Sequence, residues 1–297
     1  KKSIMKRIKL AIQLVALTVV MNATAQNIVE IKVEKITDQI YLLMGQGGNI
    51  GLFVGDDGVF MIDDQFAPLT PKILAAIKTI TDKPVNYLIN THWHGDHTGG
   101  NLNMAKEGAI IVSHENVRKR MSLEKLVQGK KVKGSPEEAL PVITFTEEMM
   151  YHFNGDDVLI SHIHDAHTDG DALVYFTKNN VLHMGDSYFQ GAFPYIDTTS
   201  GGTIDGYIAG IQKAIMLSDD ATIIVCGHGK ASNKSDLKTY LKMLKTLRAR
   251  VATEIEDNKT LEEVVANGSI TKEYKSFSAW ITEEKIKTAI YTSLKNE

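Results

Sequence analysis

The chain has 297 residues, of which 43% are hydrophobic and 23% are charged, and its formal net charge at pH 7 is −3. This composition is that of an ordinary globular protein. The lysines and arginines are scattered, without the concentrated basic face that nucleic-acid binding usually requires, so we expect no nucleic-acid partner.

The N-terminal residues have the pattern of a secretory signal peptide. Residues 1–9 carry five positive charges and no negative charge, residues 10–21 are almost all apolar, and an Ala-Thr-Ala site ends at Ala25. The apolar run is too short to span a bilayer, which takes about 20 apolar residues. We therefore expect cleavage after Ala25, a periplasmic or secreted protein, and no stable membrane anchor.

Short apolar runs separated by turn residues indicate β-strands in the first half of the chain. A helix is predicted over residues 70–81, with Thr70 as its N-cap and Pro71 at its first position. Residues 115–150 are polar and irregular, which is typical of a flexible flap or an insertion. The predicted strands of this half are residues 27–33, 39–45, 49–55, 58–63, 85–90 and 109–113.

The second half repeats this alternation of strands and helices. Strands are predicted at residues 157–163, 172–177, 180–185 and 222–227, and helices around Tyr207 to Ile215 and at residues 234–257, 260–267 and 282–295. Two mixed sheets, each covered by helices on its outer side, accommodate this order, so the predicted class is α/β (α+β). We predict a signal peptide at residues 1–25 and a single domain at 26–297, with a core at about 30–235 and a helical extension at 236–297.

Potential metal ligands follow the strand predicted at residues 85–90. They lie within six positions and are His92, His94, Asp96 and His97. Imidazole and carboxylate groups suit zinc, iron or manganese. Residues two apart in extended backbone point the same way, so His92 and His94 can share one metal ion while Asp96 and His97 reach a neighbouring point.

Further acidic and imidazole side chains stand at or just beyond the ends of other predicted strands. They are Asp63, His167, Asp186 and His228. Sites in layered α/β proteins are assembled at strand ends. The sequence therefore predicts a metal centre at this edge of the fold.

The order of these motifs resembles the metallo-β-lactamase superfamily between about residue 30 and residue 235. The motifs are H-x-H-x-D-H at 92–97, a lone histidine at 167, Gly-Asp at 185–186 and Gly-His-Gly at 227–229. The resemblance implies an αββα four-layer sandwich with the metals at one edge of the two sheets. The ligand sets that it implies are His92, His94 and His167 for one metal, Asp96, His97 and His228 for the second, Asp186 as the bridge, and Asp63 as a support behind the ligand loop.

Other histidines lie near these positions in the sequence. His164 is an alternative to His167 as a ligand, because the strand register before it is ambiguous. His183 lies inside an apolar strand, which favours a place in the core or behind the ligands. We expect His114 and His152 at the surface.

Aromatic residues accompany the predicted ligands. Trp93 lies between two of them, and Tyr188, Phe189 and Phe193 follow Asp186 closely. Such rings either pack against the ligand loops or line an apolar substrate pocket, and the sequence leaves both interpretations open.

The resemblance implies a hydrolase with two metal ions about 3.5–4 Å apart, whose bridging water loses a proton and attacks a small-molecule substrate. Asp96 is the candidate catalytic residue, because it can orient this hydroxide besides binding metal. We expect two Zn²⁺ ions per chain, and Fe or Mn also suit the donors. The alternative is an iron-dependent, persulfide dioxygenase-like oxidoreductase, which generally uses one iron.

The residue at position 186 bears on the substrate. Lactamases of the one-cysteine type have Cys where Asp186 stands, and a nearby Lys to hold the substrate carboxylate. The loop after Asp186 has no cation, although Lys and Arg residues from 118–133 could fold over the site. We therefore predict an ester, lactone, thioester or amide as the substrate, with at most weak β-lactamase activity.

Overall fold

Two mixed β-sheets pack face to face, as the sequence pattern and the resemblance predicted. The computed structural model describes residues 29–127 and 130–296. The strands of the first sheet, in their hydrogen-bonded order, are β1 (Lys32–Lys35), β2 (Ile40–Met44), β3 (Ile50–Gly55), β4 (Gly58–Ile62), β5 (Val85–Asn90), β6 (Ile110–His114) and β9 (Ile143–Phe145). Pairing is antiparallel from β1 to β4 and parallel from β4 to β9.

The second sheet is antiparallel except at one edge. Its strands, in order, are β10 (Glu148–Phe153), β11 (Asp156–Ile163), β12 (Asp171–Phe176), β13 (Val181–His183) and β14 (Ile223–Val225), of which the last two are parallel. A separate hairpin joins β7 (Lys125–Val127) to β8 (Lys130–Val132). The apolar core between the two sheets includes Ile62 and Ile89 from the first and Val158 and Val174 from the second.

Helices cover the outer faces of the sheets, which completes the four-layer sandwich. In chain order they are α1 (Thr70–Lys78), α2 (Gly95–Thr98), α3 (Asn101–Lys106), α4 (Glu115–Ser122), α5 (Ile204–Leu217), α6 (Lys234–Glu256), α7 (Leu261–Ala266) and α8 (Glu283–Asn296). On the second sheet, Leu182 and Ile224 share one apolar cluster with Ile211 of α5, Leu244 of α6 and Ile290 of α8. The helical extension therefore packs on the same core as the strands.

Two local predictions differ from the structure. A short 3-10 turn (Ala67–Leu69) precedes α1, so Leu69 is the N-cap and Thr70 is already helical, and α1 ends at Lys78 rather than at residue 81. The segment 115–150 is not an irregular flap, because it contains α4 and four strands or parts of strands. On α4, Val117 and Met121 are one helical turn apart and bury a narrow apolar stripe, which the surrounding polar residues conceal in the sequence.

The predictions about export fall on residues 1–25, outside the described residues, and they stay predictions. Residues Ile31–Glu297 form one compact unit. Among the described residues, every helix is too short or too polar to cross a membrane. The predicted domain boundary at residue 26 likewise stays a prediction.

Candidate metal centre

Seven side chains come together where strands of both sheets end. The first sheet supplies the residues after β5, which are His92, His94, Asp96 and His97, the last two on α2. The second sheet supplies His167 between β11 and β12, Asp186 after β13 and His228 after β14. Their donor atoms form two groups, each within 4.8 Å, which are His92, His94, His167 and Asp186, and Asp96, His97 and His228.

Asp186 lies between the two groups. Its Oδ2 atom is 3.6 Å from His167 Nε2 and 3.4 Å from His228 Nε2, and its Oδ1 atom is 3.2 Å from His97 Nε2. Gly227 makes room for this carboxylate, because a Cβ atom there would lie 1.9 Å from Oδ1. Asp186 is therefore the one side chain of the cluster whose oxygens face donors of both groups.

Hydrogen bonds outside the cluster determine which ring nitrogens face inward. His167 Nδ1 donates to the carbonyl oxygen of Tyr195 at 2.6 Å, and His94 Nε2 donates to Asp197 Oδ2 at 3.0 Å. Because these oxygens only accept, each ring uses one nitrogen as a donor to them and turns its other nitrogen towards the cluster. The two inner nitrogens, His167 Nε2 and His94 Nδ1, lie 2.8 Å apart, where they share a proton in a hydrogen bond or, as lone-pair donors, would bind one cation together.

Asp63 supports ligands of both groups from behind. Its carboxylate accepts from the backbone N–H and the hydroxyl of Thr91 at 2.8 Å each, and from His97 Nδ1 at 2.7 Å. The Thr91 hydroxyl lies 3.0 Å from His92 Nδ1, which donates to it because the hydroxyl proton points to Asp63. Asp63 itself has a φ of 59°, a left-handed conformation that Asp tolerates better than most residues. Both Nε2 atoms, of His92 and His97, consequently face the cluster.

The inner donor atoms fit a divalent cation. His92 Nε2, His97 Nε2 and Asp186 Oδ1 are buried and make no hydrogen bond of good geometry with the described part of the chain, although the last two lie 3.2 Å apart. Leaving buried polar atoms without good hydrogen bonds is costly, typically about 1–3 kcal/mol each. Imidazole nitrogens and carboxylate oxygens are donors that Zn²⁺ and similar ions accept, so coordination would satisfy all three atoms.

Burial and charge move the pKa values of the histidines in opposite directions. Burial lowers the pKa of His167 to about 4 and lowers that of His92 well below its usual value. Burial also disfavours a charged His228, but Asp186 and Asp96 outweigh it and raise its pKa to about 9. A proton on His228 would balance part of the carboxylate charge, and a bound cation would supply the same balance in its place.

A cavity of about 930 Å³ opens above the cluster. Its lining combines His94, Asp96 and His228 with the aromatic side chains of Phe66 and Trp280. Tyr195 and Gln46 also line it, and none of its described lining residues is Lys or Arg. A cavity of this size with apolar walls and a few convergent polar groups suits a small organic substrate.

The sequence of motifs on this scaffold matches a known family. The model of the metallo-beta-lactamase superfamily aligns with residues 43–228, a span that includes all seven clustered side chains. The chain belongs to the metallo-β-lactamase superfamily.

Individual proteins resemble this chain at low identity. The 2,4-dinitroanisole O-demethylase subunit alpha of Nocardioides sp. is 27% identical over 141 residues, which cover 46% of this chain and only 40% of that protein. A hydroxyacylglutathione hydrolase of Haemophilus influenzae is 26% identical over 151 residues, covering 50% of this chain and 70% of that enzyme. The solved metallo-beta-lactamase from Pontibacter korlensis superimposes with a TM-score of 0.61 at 20% identity, covering 73% of this chain and 99% of that one, and shows the shared fold.

The aromatic residues after Asp186 do not line the cavity of this superfamily member. Tyr188, Phe189 and Phe193 are at most 2% exposed and belong to the core beneath the helices. Phe189 stacks on the outer side of the His228 ring, with the ring centroids 5.4 Å apart and the planes 4° from parallel. Trp93 packs against the apolar cluster of α4. The burial of Tyr188, Phe189 and Phe193 favours the packing interpretation for these three, whereas Trp93 is partly buried with its ring 5.0 Å from that of His94, and its pocket role stays a prediction.

The remaining histidines do not belong to the cluster of seven side chains. His164 is exposed and pairs with Glu147 at 3.2 Å, so it does not join the ligands. His183 is buried and its Nδ1 atom accepts from the Gly185 N–H at 3.2 Å, as expected of a residue behind the site. His152 is exposed as expected, but His114 is only 4% exposed, so its prediction as a surface residue is wrong.

The two arginines of residues 118–133 have partners outside the cavity. Arg118 donates to the Pro141 carbonyl at 2.6 Å, and Arg120 forms a bidentate pair with Asp169 at 2.6 and 2.7 Å. Neither arginine lines the cavity above the cluster.

Sequence reasoning missed residues that support or complete the site. Asp197 fixes the ring of His94, and Asp171 accepts from the backbone N–H of His167 at 2.6 Å. The Asp171 position was visible in the sequence, because it ends the pattern Thr-Asp-Gly-Asp after His167. Trp280, which lines the cavity, lies far from the ligand motifs along the chain, and Phe66, three residues after Asp63, carried no such signal either.

Proposed function

We propose that this chain is a zinc-dependent hydrolase of an uncharged, partly apolar ester, lactone or thioester, with two metal ions per chain. The observation that carries the proposal is the position of both donor groups in the floor of an aromatic-walled cavity without a cation among its described lining residues. A substrate carboxylate would need a cationic partner, because charge-assisted pairs are the strong ones. An ester or lactone carbonyl needs none.

Two bound ions would supply Lewis acidity at the scissile carbonyl and lower the pKa of water in the site. The chain supplies the positioning. Asp96, whose side chain is 28% exposed, faces both the cavity and His228, with Asp96 Oδ2 3.3 Å from His228 Nε2. Its carboxylate is placed to accept a proton from an attacking water and to orient that water towards a substrate in the cavity.

The similarity to a hydroxyacylglutathione hydrolase supports hydrolysis over oxidation. The intact second group, Asp96, His97 and His228, also favours two ions over one iron. A carboxylate at position 186, between both groups, agrees with the branch of the superfamily that hydrolyses thioesters and lactones.

Metal analysis followed by steady-state kinetics tests the proposal. We expect close to two zinc ions per purified chain, and kcat/KM on a simple aryl ester or lactone at least roughly tenfold above that on a penicillin or carbapenem, a barrier difference near 1.4 kcal/mol. Faster turnover of the lactam would overturn the substrate assignment. One tightly bound iron with oxygen consumption on a persulfide would overturn the hydrolase assignment itself.

We also propose that the enzyme is exported, on the basis of the charged, apolar and Ala-Thr-Ala pattern of residues 1–25. N-terminal sequencing of the protein from its native host should give Gln26 as the first residue. An intact N-terminus that retains residues 10–21 would contradict export by this route.

A further inference from the structure

The helical extension beyond the family match brings one aromatic residue to the metal centre. Trp280 lies between the 3-10 helix Lys272–Phe277 and α8, and it lines the cavity above the cluster. The centroid of its ring is 5.6 Å from that of Tyr195 and 6.3 Å from that of the ligand His228. The side chain is nonetheless 50% exposed.

The backbone around Trp280 is held in place while its ring remains open to the cavity. Before it, the Phe277 carbonyl accepts from the Phe193 N–H at 2.8 Å. After it, Ile281 is buried in the core, and Lys285 Nζ donates to the Trp280 carbonyl at 3.2 Å. A large aromatic group on an anchored segment loses little conformational freedom when a ligand packs against it, which makes it an effective binding surface.

A second cavity of about 630 Å³ adjoins the same residues. Tyr195 and Trp280 line both cavities, so this aromatic pair stands between the metal side and the second space. The second cavity extends along α8, with Ile281 just before the helix and Ala289 on it as apolar parts of the wall, while Glu284 and Lys285 also line it. Each space alone has the size of a small-molecule site, and together they exceed what a short ester would occupy.

We propose that Trp280 is a specificity-determining residue for an extended acyl chain. The scissile carbonyl lies over the metal cluster, the first part of the chain packs against Trp280 and Tyr195, and the far end enters the cavity beside Ala289. This inference rests on the proposed function, because it assigns the acyl side of the ester or thioester that the centre hydrolyses. Burial of each additional methylene improves transition-state binding a few-fold where the chain is fully enclosed.

A series of p-nitrophenyl esters tests the inference with a constant leaving group. For the zinc-loaded wild type, we expect kcat/KM to rise from acetate through butyrate and hexanoate to octanoate. Trp280→Ala should lower kcat/KM on octanoate by at least about tenfold and on acetate by less than about threefold. Trp280→Phe, which keeps a ring, should retain most of the preference for the long chain.

Two further variants separate this role from a structural one. Ala289→Trp fills the second cavity and should reduce turnover of octanoate far more than turnover of acetate. Met216→Ala removes an apolar side chain that is 79% exposed on α5, and it should change neither substrate. Equal losses on acetate and octanoate in Trp280→Ala, or a loss of zinc from it, would overturn the inference, as would a wild type that prefers acetate.

Binding of methyl nonyl ketone, an uncharged analogue that cannot be hydrolysed, distinguishes this inference from the proposed function. Calorimetry should show binding to the wild type and at least about tenfold weaker binding to Trp280→Ala and Ala289→Trp. If no ester is hydrolysed but the ketone still binds in this Trp280-dependent way, only the proposed reaction fails. If esters are hydrolysed and the ketone binds all three proteins equally, only the acyl-chain inference fails.

Discussion

Two histidine clusters among the residues that the structure describes differ in the direction of their ring nitrogens. In the metal centre, the rings of His92 and His167 are 4.6 Å apart. In a second cluster, the rings of His114 and His162 are even closer, at 3.8 Å, and lie 8° from parallel, while His164 is 4.3 Å from His162. Proximity of histidines is therefore common to both and does not by itself make a metal site.

The hydrogen bonds of the second cluster account for the difference. His114 Nε2 donates to the Thr146 carbonyl at 3.0 Å, and its Nδ1 accepts from the Asn116 N–H at 3.3 Å. His162 Nδ1 donates to the Asp171 carbonyl at 2.8 Å. Stacked rings whose nitrogens bond outward have no common point for an ion. In the metal centre, outer acceptors take one nitrogen each of His92, His94, His97 and His167, and their other nitrogens face the cluster around the buried Asp186 carboxylate.

The largest expected effect comes from neutralising the Asp186 carboxylate, which lies between the two donor groups. Asp186→Asn keeps the shape but lowers the charge of the group between both donor sets. We expect loss of bound zinc and a fall in kcat/KM of more than about a hundredfold. Mutation of a residue that only hydrogen-bonds to a ligand already lowers metal affinity or activity about 10–100-fold, and Asp186 is itself a proposed ligand. His164→Gln in the second cluster is the control, and it should keep both zinc content and activity. Full zinc content in Asp186→Asn would contradict the position assigned to this carboxylate.

A smaller effect is expected where an outer acceptor fixes a ligand. Asp197→Asn weakens the bond that holds His94 Nε2, and we expect zinc affinity or kcat/KM to fall about 10–100-fold. The matched control is Asp157→Asn, since Asp157 pairs with the exposed His152 at 2.6 Å, far from any ligand group. Zinc titration with a competing chelator measures the affinity. Equal behaviour of the two variants would show that the Asp197 contact does not position His94.

The smallest effect concerns protonation in the second cluster. Burial, together with His114 and His164, lowers the pKa of His162 to about 4, although the hydrogen bond to the Asp171 carbonyl and the charge of Glu147 oppose this shift. An unfolded His titrates near 6.5, so the unfolded chain binds the proton more readily and the free energy of unfolding falls as the pH drops from about 6.5 towards 4.

The size of this pH effect is modest, because solvent screens part of it. We expect His162 to account for about 1 kcal/mol or less of the stability lost between pH 7 and pH 5.5. Urea unfolding at both pH values gives the free energy of unfolding of the wild type and of His162→Phe. The change in this free energy between pH 7 and pH 5.5 should be larger in the wild type, and the difference between the two proteins is the contribution of His162. A His162→Phe variant with unchanged pH dependence would contradict the shifted pKa.

The sequence predicted the elements of the metal cluster well because their signals are local. Ligands such as His92 and Asp186 follow apolar strands directly, and strand ends gather at one edge in this kind of fold. The support from Asp197 and the wall contributed by Trp280 depend on how distant loops approach, which no periodicity encodes. For Phe189, sequence position next to a ligand was misleading, because a ring beside a ligand can point to either side of the loop.

The burial of His114 also depends on a contact between distant parts of the chain. It ends a strand and begins α4, where a histidine in an otherwise polar stretch resembles a surface residue. Its burial comes from the ring of His162 on the other sheet, a contact between residues 48 positions apart in the sequence. Only the packing of the two sheets reveals it.

The division of ligands between the sheets has a mechanical consequence for a chain whose single cysteine, Cys226, excludes an internal disulfide. Each donor group takes residues from both sheets, for example His92 with His167 and His97 with His228. An ion in either group would therefore cross-link the two halves of the sandwich, and its binding free energy would be added to that of folding. Chelation would then remove a cross-link between the sheets as well as the activity. We expect the two sheets to separate first at the edge that carries the cluster and its cavity.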